Sequence, residues 1–285
     1  MIESLHGRSV VRRRRMAGAL LLGATLVLPA VARAQSPNQG AVTFRGGVDA
    51  PSVYVLRGLV QERDPSLTLT PWADVGFTLK SSDGVRRIGV DLGVWNSLNT
   101  GSSGSKGFTE RLHYAETFNA SLALGITRRV ALATTYTAYT SPNLMFETVK
   151  EVSVTVTHAD RFRPYLRVAS ELGDQGMDGG ARRGTYAEFG ATPTLIARGR
   201  ATLAVPVRVG LSASDYYELN GTDHAFGFLS IGGLVSLPVT GASSALGVWS
   251  LRGGIDYYTF GDTTKAFNRG KAHKVVGLVG VGVSY

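Results

Sequence analysis

Apolar and polar side chains alternate with a period of two along most of this chain. In the stretch RRIGVDLGVWNS at 86–97, apolar residues occupy positions 88, 90, 92 and 94, and small or polar residues mostly lie between them. TLAVPVRVGLSA at 202–213 and LTLTPWADVGFTLK at 67–80 follow a similar pattern. A β-strand points successive side chains to opposite faces. The pattern therefore predicts strands with one apolar face and one polar or small face.

The same pattern extends over most of the chain and predicts about twelve strands. Short connections, such as 127–129 and 197–200, mostly alternate with longer polar ones, such as 97–110 and 213–223. This alternation is typical of membrane barrels, which have tight turns at one end and longer loops at the other. We therefore predict an all-β fold, a transmembrane antiparallel up-and-down β-barrel of about twelve strands. Besides the three quoted stretches, the predicted strands lie near 41–57, 111–125, 129–140, 146–158, 162–173, 184–197, 223–238, 245–259 and 274–285.

The second face of the strands separates a membrane barrel from a soluble all-β protein. A soluble sandwich buries its apolar face and exposes a polar, charged one. Here the second face is rich in Gly, Ala, Ser and Thr with scattered charges, which suits a crowded lumen. Aromatic residues near strand ends are candidates for the girdles at the two membrane interfaces, or else ordinary core and loop residues. These aromatics are Trp72, Tyr114, Tyr136, Trp249, Tyr257 and Tyr285.

The N-terminal segment has the three parts of a secretory signal. Arg12 to Arg15 form a basic region, Met16 to Leu28 a short apolar region, and Ala32-Arg33-Ala34 a small-x-small cleavage site. We expect residues 1–34 to be a cleaved signal peptide and 35–285 to form a single outer-membrane barrel domain.

Removal of this segment lowers the net charge of the chain. The whole chain has a formal net charge of +9, but residues 35–285 hold 24 basic and 20 acidic side chains, a net charge of +4. The remaining basic residues form no cluster, so we expect no nucleic-acid partner. The chain has no cysteine, which excludes disulfides and thiolate metal sites.

Signals for catalysis are weak. Histidines 113, 158, 224 and 273 fall in predicted loops, turns or strand ends, without a Ser/His motif or a metal-ligand spacing. We therefore predict that the protein is not an enzyme and needs no cofactor or metal. The stretch YYELNGTD at 216–223 predicts a turn at Asn220, with Tyr216 and Tyr217 as candidates for a surface contact.

Two stretches resemble the TorF-like porin family of outer-membrane β-barrels. VYVLRGLVQERDPSLTLTPWADVGFTL at 53–79 is similar to the family's Tyr-x-x-Arg-Gly-x-x-Gln segment, and GVDLGVWNSLN at 89–99 to its Gly-x-Trp-x-Ser motif. The family's Tyr-Glu-x-Asp stretch is replaced here by HYAETFN at 113–119. The resemblance implies a barrel with a channel function and leaves its solute open. The matching residues are Tyr54, Arg57, Gly58, Gln61, Gly93, Trp95 and Ser97.

Charged residues on the second face are the candidates for function. We predict that they line the lumen with a basic excess, because the arginines outnumber the carboxylates. They form either a selectivity lining for small polar or anionic solutes, or a charge-paired network that closes the lumen. The closed lumen would suit a structural or interaction barrel. The candidates are Arg57, Asp74, Asp91, Arg167, Glu188, Arg208, Arg252 and Asp256, and the wider set adds Arg87, Arg163, Glu171 and Lys274.

The last stretch, KVVGLVGVGVSY, predicts the strand that closes the barrel. Odd-numbered positions are expected to face lipid, and even-numbered ones from 278 to face the lumen. The ending resembles the C-terminal signal by which outer-membrane barrels engage the barrel assembly machinery. We therefore expect outer-membrane lipids, that machinery and small solutes as partners in the bacterial outer membrane, with the oligomeric state open. The signal residues are Val279, Val281, Val283 and Tyr285.

Overall fold

The fold was analysed in a computed structural model of the chain. The structure describes residues 40–62, 64–82, 86–101, 112–173, 176, 182–198, 201–239 and 247–285. These residues belong to one compact unit, Ala34–Tyr285. The segment predicted as a signal peptide, 1–34, lies outside the described residues.

Twelve antiparallel strands form the wall of a barrel, which confirms the predicted fold class. Each strand pairs with the next along the chain. Two of the twelve are each built from two segments. The strands are β1 (Val42–Pro51), β2 (Pro65–Ser82), β3 (Arg86–Gly101), β4 (His113–Gly125), β5 (Val130–Thr140), β6 (Val149–His158), β7 (Tyr165–Glu171), β8 (Thr185–Ala191 and Thr194–Arg198), β9 (Ala201–Ala204 and Val207–Ser214), β10 (Phe226–Pro238), β11 (Val248–Phe260) and β12 (His273–Ser284).

The barrel closes where β1 pairs with β12. The register runs from Arg45 opposite Ser284 to Pro51 opposite Leu278. Beyond the strand, Phe44 and Tyr285 exchange two backbone hydrogen bonds, of 2.6 and 2.8 Å. Closure leaves the sheet without an edge, as a wall in contact with hydrocarbon requires.

Prolines cause the breaks in β8 and β9. Pro193 and Pro206 lack an N–H group, so neither can donate to the ladder. Their carbonyls still accept: Val205 N–H donates to Pro193 at 2.9 Å, and Gly232 N–H donates to Pro206 at 2.9 Å. The two segments of each strand therefore occupy one position in the wall, which is why the count is twelve.

The two faces of the wall divide as the alternation predicts. Along β12 the side chain of Val279 is 63% exposed on the outside, whereas Val276 on the lumen side is 8% exposed. Large apolar side chains form an exposed belt around the barrel, which suits the hydrocarbon core of a bilayer. Members of this belt include Phe44, Leu92, Leu122, Val154, Leu166, Phe189, Leu229, Ile231, Leu251 and Ile255.

The connections differ in length at the two ends of the barrel. We call one end the turn end, where strands are joined by 83–85, 126–129, 159–164, 199–200 and 239–247. We call the other the loop end, with connections 52–64, 102–112, 141–148, 172–184, 215–225 and 261–272. The loop at 261–272 carries a short helix, α1 (Asp262–Phe267). Among the described residues, no helix has the length and apolar character needed to cross a membrane.

One prediction about the wall was wrong in detail, and the candidate girdle aromatics divide between the two interpretations left open for them. The predicted first strand, 41–57, ends at Pro51, and the chain then turns inward. Among the candidate girdle aromatics, Tyr114 is buried and Trp72 faces inward, where its ring stacks under Arg252 at 5.0 Å. The remaining candidates are exposed, in agreement with the girdle interpretation: Tyr136, Trp249, Tyr257 and Tyr285.

The assignment of faces can be tested with one charge placed on either side of β12. Val279→Arg introduces a cation into the lipid-facing belt and should reduce the free energy of unfolding by about 2–4 kcal/mol. Leu278→Arg places the same charge one residue away beside a lumen cavity, so we expect a much smaller loss. Urea unfolding of refolded protein in lipid vesicles measures both. Equal losses in the two variants would contradict the assigned faces.

Candidate functional site

The connection 52–64 folds back into the lumen instead of projecting outward. Its two-residue strands, Val55–Leu56 and Leu59–Val60, pair across a tight turn. Arg57 and Gly58 occupy that turn with φ values of 50° and 80°, and glycine tolerates the second without strain. We call residues 53–61 the lumen hairpin. Val53, Val55 and Val60 pack against buried side chains of the wall, including Phe228 and Tyr258.

Arg57 at the tip of the lumen hairpin is bound on several sides. Its Nη2 donates to Glu151 Oε1 on β6 at 2.6 Å, and its Nη1 donates to the Tyr216 hydroxyl at 2.8 Å. The guanidinium also lies 4.2 Å from the ring centre of Tyr186. The Tyr217 hydroxyl donates to the Arg57 carbonyl at 2.9 Å. The side chains of Arg57 and Glu151 are only 6% and 3% exposed, so this is a buried ion pair.

The loop that carries α1 holds the other side of the lumen hairpin. The Asn268 side chain donates from Nδ2 to the Gly58 carbonyl at 2.8 Å and accepts from Val60 N–H at 2.9 Å. The Thr263 hydroxyl in turn donates to the Tyr217 carbonyl at 2.8 Å. The hairpin is therefore fixed through its backbone as well as through Arg57.

Tyr216 and Tyr217 are inside the barrel, so the prediction that they form a surface contact was wrong. Both are at most 1% exposed, and they pack on each other and on Tyr186. Burial raises the pKa of the Tyr216 hydroxyl well above its usual value, so it stays protonated beside Arg57. The predicted turn is present, with Asn220 at a φ of 54° and Gly221 at 78°.

Arg208 on β9 and Asp256 on β11 approach each other in the lumen, with β10 between their strands. Arg208 Nη2 donates to the Tyr258 hydroxyl at 2.9 Å, and Nε donates to Ser230 Oγ at 3.2 Å. Its distance to Asp256 Oδ2 is 3.8 Å, a looser pair than that of Arg57. Glu188 is bound differently, since it accepts from two tyrosine hydroxyls, Tyr165 at 2.6 Å and Tyr186 at 2.5 Å.

Arg252 forms an ion pair across the closing strand. Its Nη2 lies 2.7 Å from Asp49 Oδ1, although the two residues are on β11 and β1 with β12 between them. Gly280 is the β12 residue opposite both of them. A Cβ at position 280 would overlap Asp49 Oδ1, so only glycine lets the two side chains meet. Gly232 makes the same kind of room for Asp256.

The other three candidates lie in more open parts of the lumen. Asp74 on β2 is opposite Arg45 on β1. Asp91 borders a cavity of about 450 Å³ near the turn end, with Arg45 and Arg87. Arg167 is exposed to the lumen, where its Nε donates to Thr155 Oγ1 at 3.3 Å, and it joins none of the described ion pairs.

The described lumen charges are balanced, so the predicted basic excess was wrong. Arg163 does not face the lumen. It lies in the turn 159–164, and its backbone N–H donates to Asp160 Oδ1 in the same turn. Two carboxylates missed in the sequence, Asp49 and Glu151, face inward. Their signal was an acidic residue on the small or polar face of a strand, as Glu151 shows beside Ser153 and Thr155 on β6. The described inward cations are Arg45, Arg57, Arg87, Arg167, Arg208, Arg252 and Lys274, and the anions are Asp49, Asp74, Asp91, Glu151, Glu171, Glu188 and Asp256.

The lumen retains internal space beneath the lumen hairpin. A cavity of about 460 Å³, which we call the central chamber, is lined on one side by Tyr54, Val55 and Leu56 of the hairpin. The wall contributes aromatic, hydroxyl and charged side chains around it. These include Thr70, Trp95, Thr117, Tyr139, Arg208, Asp256 and Tyr258. Among the described residues, no group of His, Asp and Glu is arranged to hold a metal ion.

Comparison with solved structures finds other membrane barrels. The NanC porin matches 86% of this chain and 99% of its own at 12% identity, with a TM-score of 0.39. The COG4313 outer membrane channel from Pseudomonas putida F1 matches 90% and 100% at 10% identity, with a TM-score of 0.45. The Pseudomonas putida toluene transporter TodX matches 88% and 90% at 9% identity, with a TM-score of 0.41. At these values the matches assign neither residues nor function.

No family model matches the chain, and a search of curated proteins finds no match. Membership of the TorF-like family therefore stays a prediction from the motifs at 53–99.

The buried pair at the hairpin tip generates a stability prediction. Arg57→Ala leaves Glu151 buried without its cation and should reduce the free energy of unfolding by about 3–5 kcal/mol. The double variant Arg57→Met/Glu151→Leu removes both charges and should recover much of that loss. Urea unfolding measures these variants.

Arg182→Ala is the matched control, because the Arg182 side chain is 66% exposed at the loop end, where it pairs with Asp215 at 3.1 Å and loosely with Glu218 at 4.0 Å. We expect little change there, since solvent screens such a pair. If Arg57→Ala lowered the free energy of unfolding no more than Arg182→Ala does, the Arg57–Glu151 pair would not anchor the hairpin.

Proposed function

We propose that this protein is a bacterial outer-membrane channel for passive diffusion of small polar solutes, with small anions among them. One observation carries the proposal: the lumen keeps a chamber of about 460 Å³ and a second cavity of about 450 Å³, and charged and polar side chains line part of each. A barrel built only to be solid would fill this space with side chains, as small eight-stranded barrels do. Twelve strands leave room for a narrow path.

The charged residues have different roles in this proposal. Arg57 fixes the lumen hairpin and so sets the width of the path at the loop end. Arg252 with Asp49 stabilises the wall at its closing seam. Arg167 and Arg208 are the cations that a passing solute would meet, opposed by Asp74, Asp91, Glu188 and Asp256. Because the described lumen charges balance, we expect only weak charge selectivity in the wild type.

Location and assembly belong to the same proposal. The apolar belt supports contact with membrane lipids. The segment 1–34 would direct export and be cleaved, and the ending with Val279, Val281, Val283 and Tyr285 would engage the barrel assembly machinery. No catalytic role is proposed.

A second function, a non-conducting structural or interaction barrel, is favoured by one observation. The lumen hairpin is fixed by Arg57, Tyr217 and Asn268, and the described ion pairs engage several of the lumen arginines. A hairpin held this firmly could close the path and leave the outer loops as the functional surface.

Single-channel recording in planar bilayers separates the two functions. The open-path proposal expects small, uniform conductance steps for the wild type. It also expects larger steps for Arg57→Ala, because the hairpin loses its anchor. Arg182→Ala, outside the lumen, should match the wild type. If the wild type showed no steps and only Arg57→Ala conducted, the closed barrel would be the correct function.

Ion preference provides a test of the lumen arginines. Arg167→Glu reverses a charge that joins none of the described ion pairs, so it should shift the reversal potential in a salt gradient toward cation preference. Arg129→Glu makes the same change at an exposed turn outside the lumen and should leave the potential unchanged. Slower migration on a detergent gel after heating verifies that each variant still folds as a barrel. An unchanged potential in Arg167→Glu would remove that residue from the conduction path.

A further inference from the structure

We propose that the central chamber is a binding site for a small aromatic carboxylate, a molecule with one benzene-type ring and one carboxylate on a short chain. This inference rests on the proposed channel function, since the ligand would reach the chamber through the lumen. It adds a solute class to that function. Three features of the chamber carry it: an apolar platform, an aromatic wall and a cation with unused donors.

The apolar platform is supplied by the lumen hairpin. Val55 and Leu56 are only partly buried, and both border the chamber, as do Val276 and Leu278 of β12. Apolar surface left in contact with water is unfavourable in proportion to its area. A path for fully hydrated solutes gains nothing from such a lining, whereas a ligand with an apolar body would cover it.

Aromatic rings stand beside this platform. Tyr54 of the hairpin contacts Trp95 of β3, with ring centres 4.6 Å apart and planes inclined by 44°. Both rings border the chamber, together with Tyr139 and Tyr258. Aromatic pairs favour offset or edge contacts, so a further ring inserted here gains specific contacts besides its buried area.

Arg208 supplies the cation. Its Nε and Nη2 are used for Ser230 and Tyr258, but Nη1 takes part in none of the described hydrogen bonds. A guanidinium carries five N–H donors, so it can bind a second acceptor while keeping these two. Its pair with Asp256 is loose at 3.8 Å, and the side chain of Arg208 is 33% exposed. A ligand carboxylate on the Nη1 side would form a charge-assisted hydrogen bond.

The available Nη1 donors of Arg208 favour an anionic ligand over a cationic one. Asp256 already faces Arg208 through Oδ2, and its Oδ1 is buried against Gly232. The described lining of the chamber therefore holds one arginine and one carboxylate, and the carboxylate already faces that arginine. The volume of the chamber lies in the range of about 300–1,000 Å³ typical of small-molecule sites.

Trp95 provides a direct readout of binding that does not depend on transport. The full-length barrel is refolded in detergent micelles, and tryptophan fluorescence is followed during titration with 3-phenylpropanoate. We expect a saturable change that is lost in Trp95→Phe. Three related ligands should each bind about tenfold more weakly: neutral 3-phenylpropanol, cationic 3-phenylpropylamine and acetate. The alcohol and the amine lack the carboxylate that Arg208 would bind, and acetate lacks the apolar ring.

Variants assign the binding to the proposed groups. Arg208→Gln should weaken 3-phenylpropanoate binding about tenfold and leave 3-phenylpropanol unchanged, whereas Arg129→Gln at the exposed turn should alter neither. Leu56→Gln, which leaves every charge in place, should weaken the acid and the alcohol alike, and it covers the case that Arg208→Gln does not fold. Equal binding of the acid and the amine, or an unaffected Arg208→Gln, would overturn the site.

The outcomes separate this site from the channel itself. Conductance without saturable binding of 3-phenylpropanoate would refute the site and leave the channel. Saturable binding in a barrel that does not conduct would refute the channel and support the site.

Discussion

Hydrocarbon offers no partner to a peptide N–H or C=O, and this constraint shapes the whole molecule. Every wall strand must pair on both sides, so the last strand has to meet the first, and β12 does so along β1. Even Pro193 and Pro206, which interrupt two wall strands, are arranged so that their carbonyls still accept. Because the outer face of the wall carries apolar residues, the charged and polar side chains of the strands face the lumen, where the candidate site lies.

The lumen shows how a barrel of this size handles buried charge. Most described pairs are held by a second polar group: Tyr216 beside Arg57, Tyr258 beside Arg208, and two tyrosines around Glu188. A buried charge without such partners would be costly. Tyrosine hydroxyls supply the missing hydrogen bonds while their rings fill space. The network therefore narrows the lumen near the hairpin without filling the chamber beneath it.

Sequence alone predicts the wall well because its signal is local. Alternation over ten residues identifies a strand and its faces, and this placed Asp74, Arg208 and Asp256 in the lumen correctly. Partner choice is not local: Arg57 and Glu151 are 94 residues apart, and their meeting depends on the folding of the hairpin. The alternation VYVLR continues into that hairpin, so the first strand was predicted six residues too long. Arg57-Gly58, a pair suited to a tight turn, was the available signal.

The ion pair across the closing seam has a consequence for assembly. The end of β12 repeats Gly-Val at 280–283, and a shift of two residues along β1 would keep every apolar side chain outside. Alternation therefore cannot specify the register of closure. The pair can, because Asp49 and Arg252 meet only when both are opposite Gly280. A two-residue slip would move the carboxylate about 7 Å along the strand and separate the charges. A single salt bridge over a single glycine thus distinguishes the correctly closed barrel from its nearest misassembled alternatives.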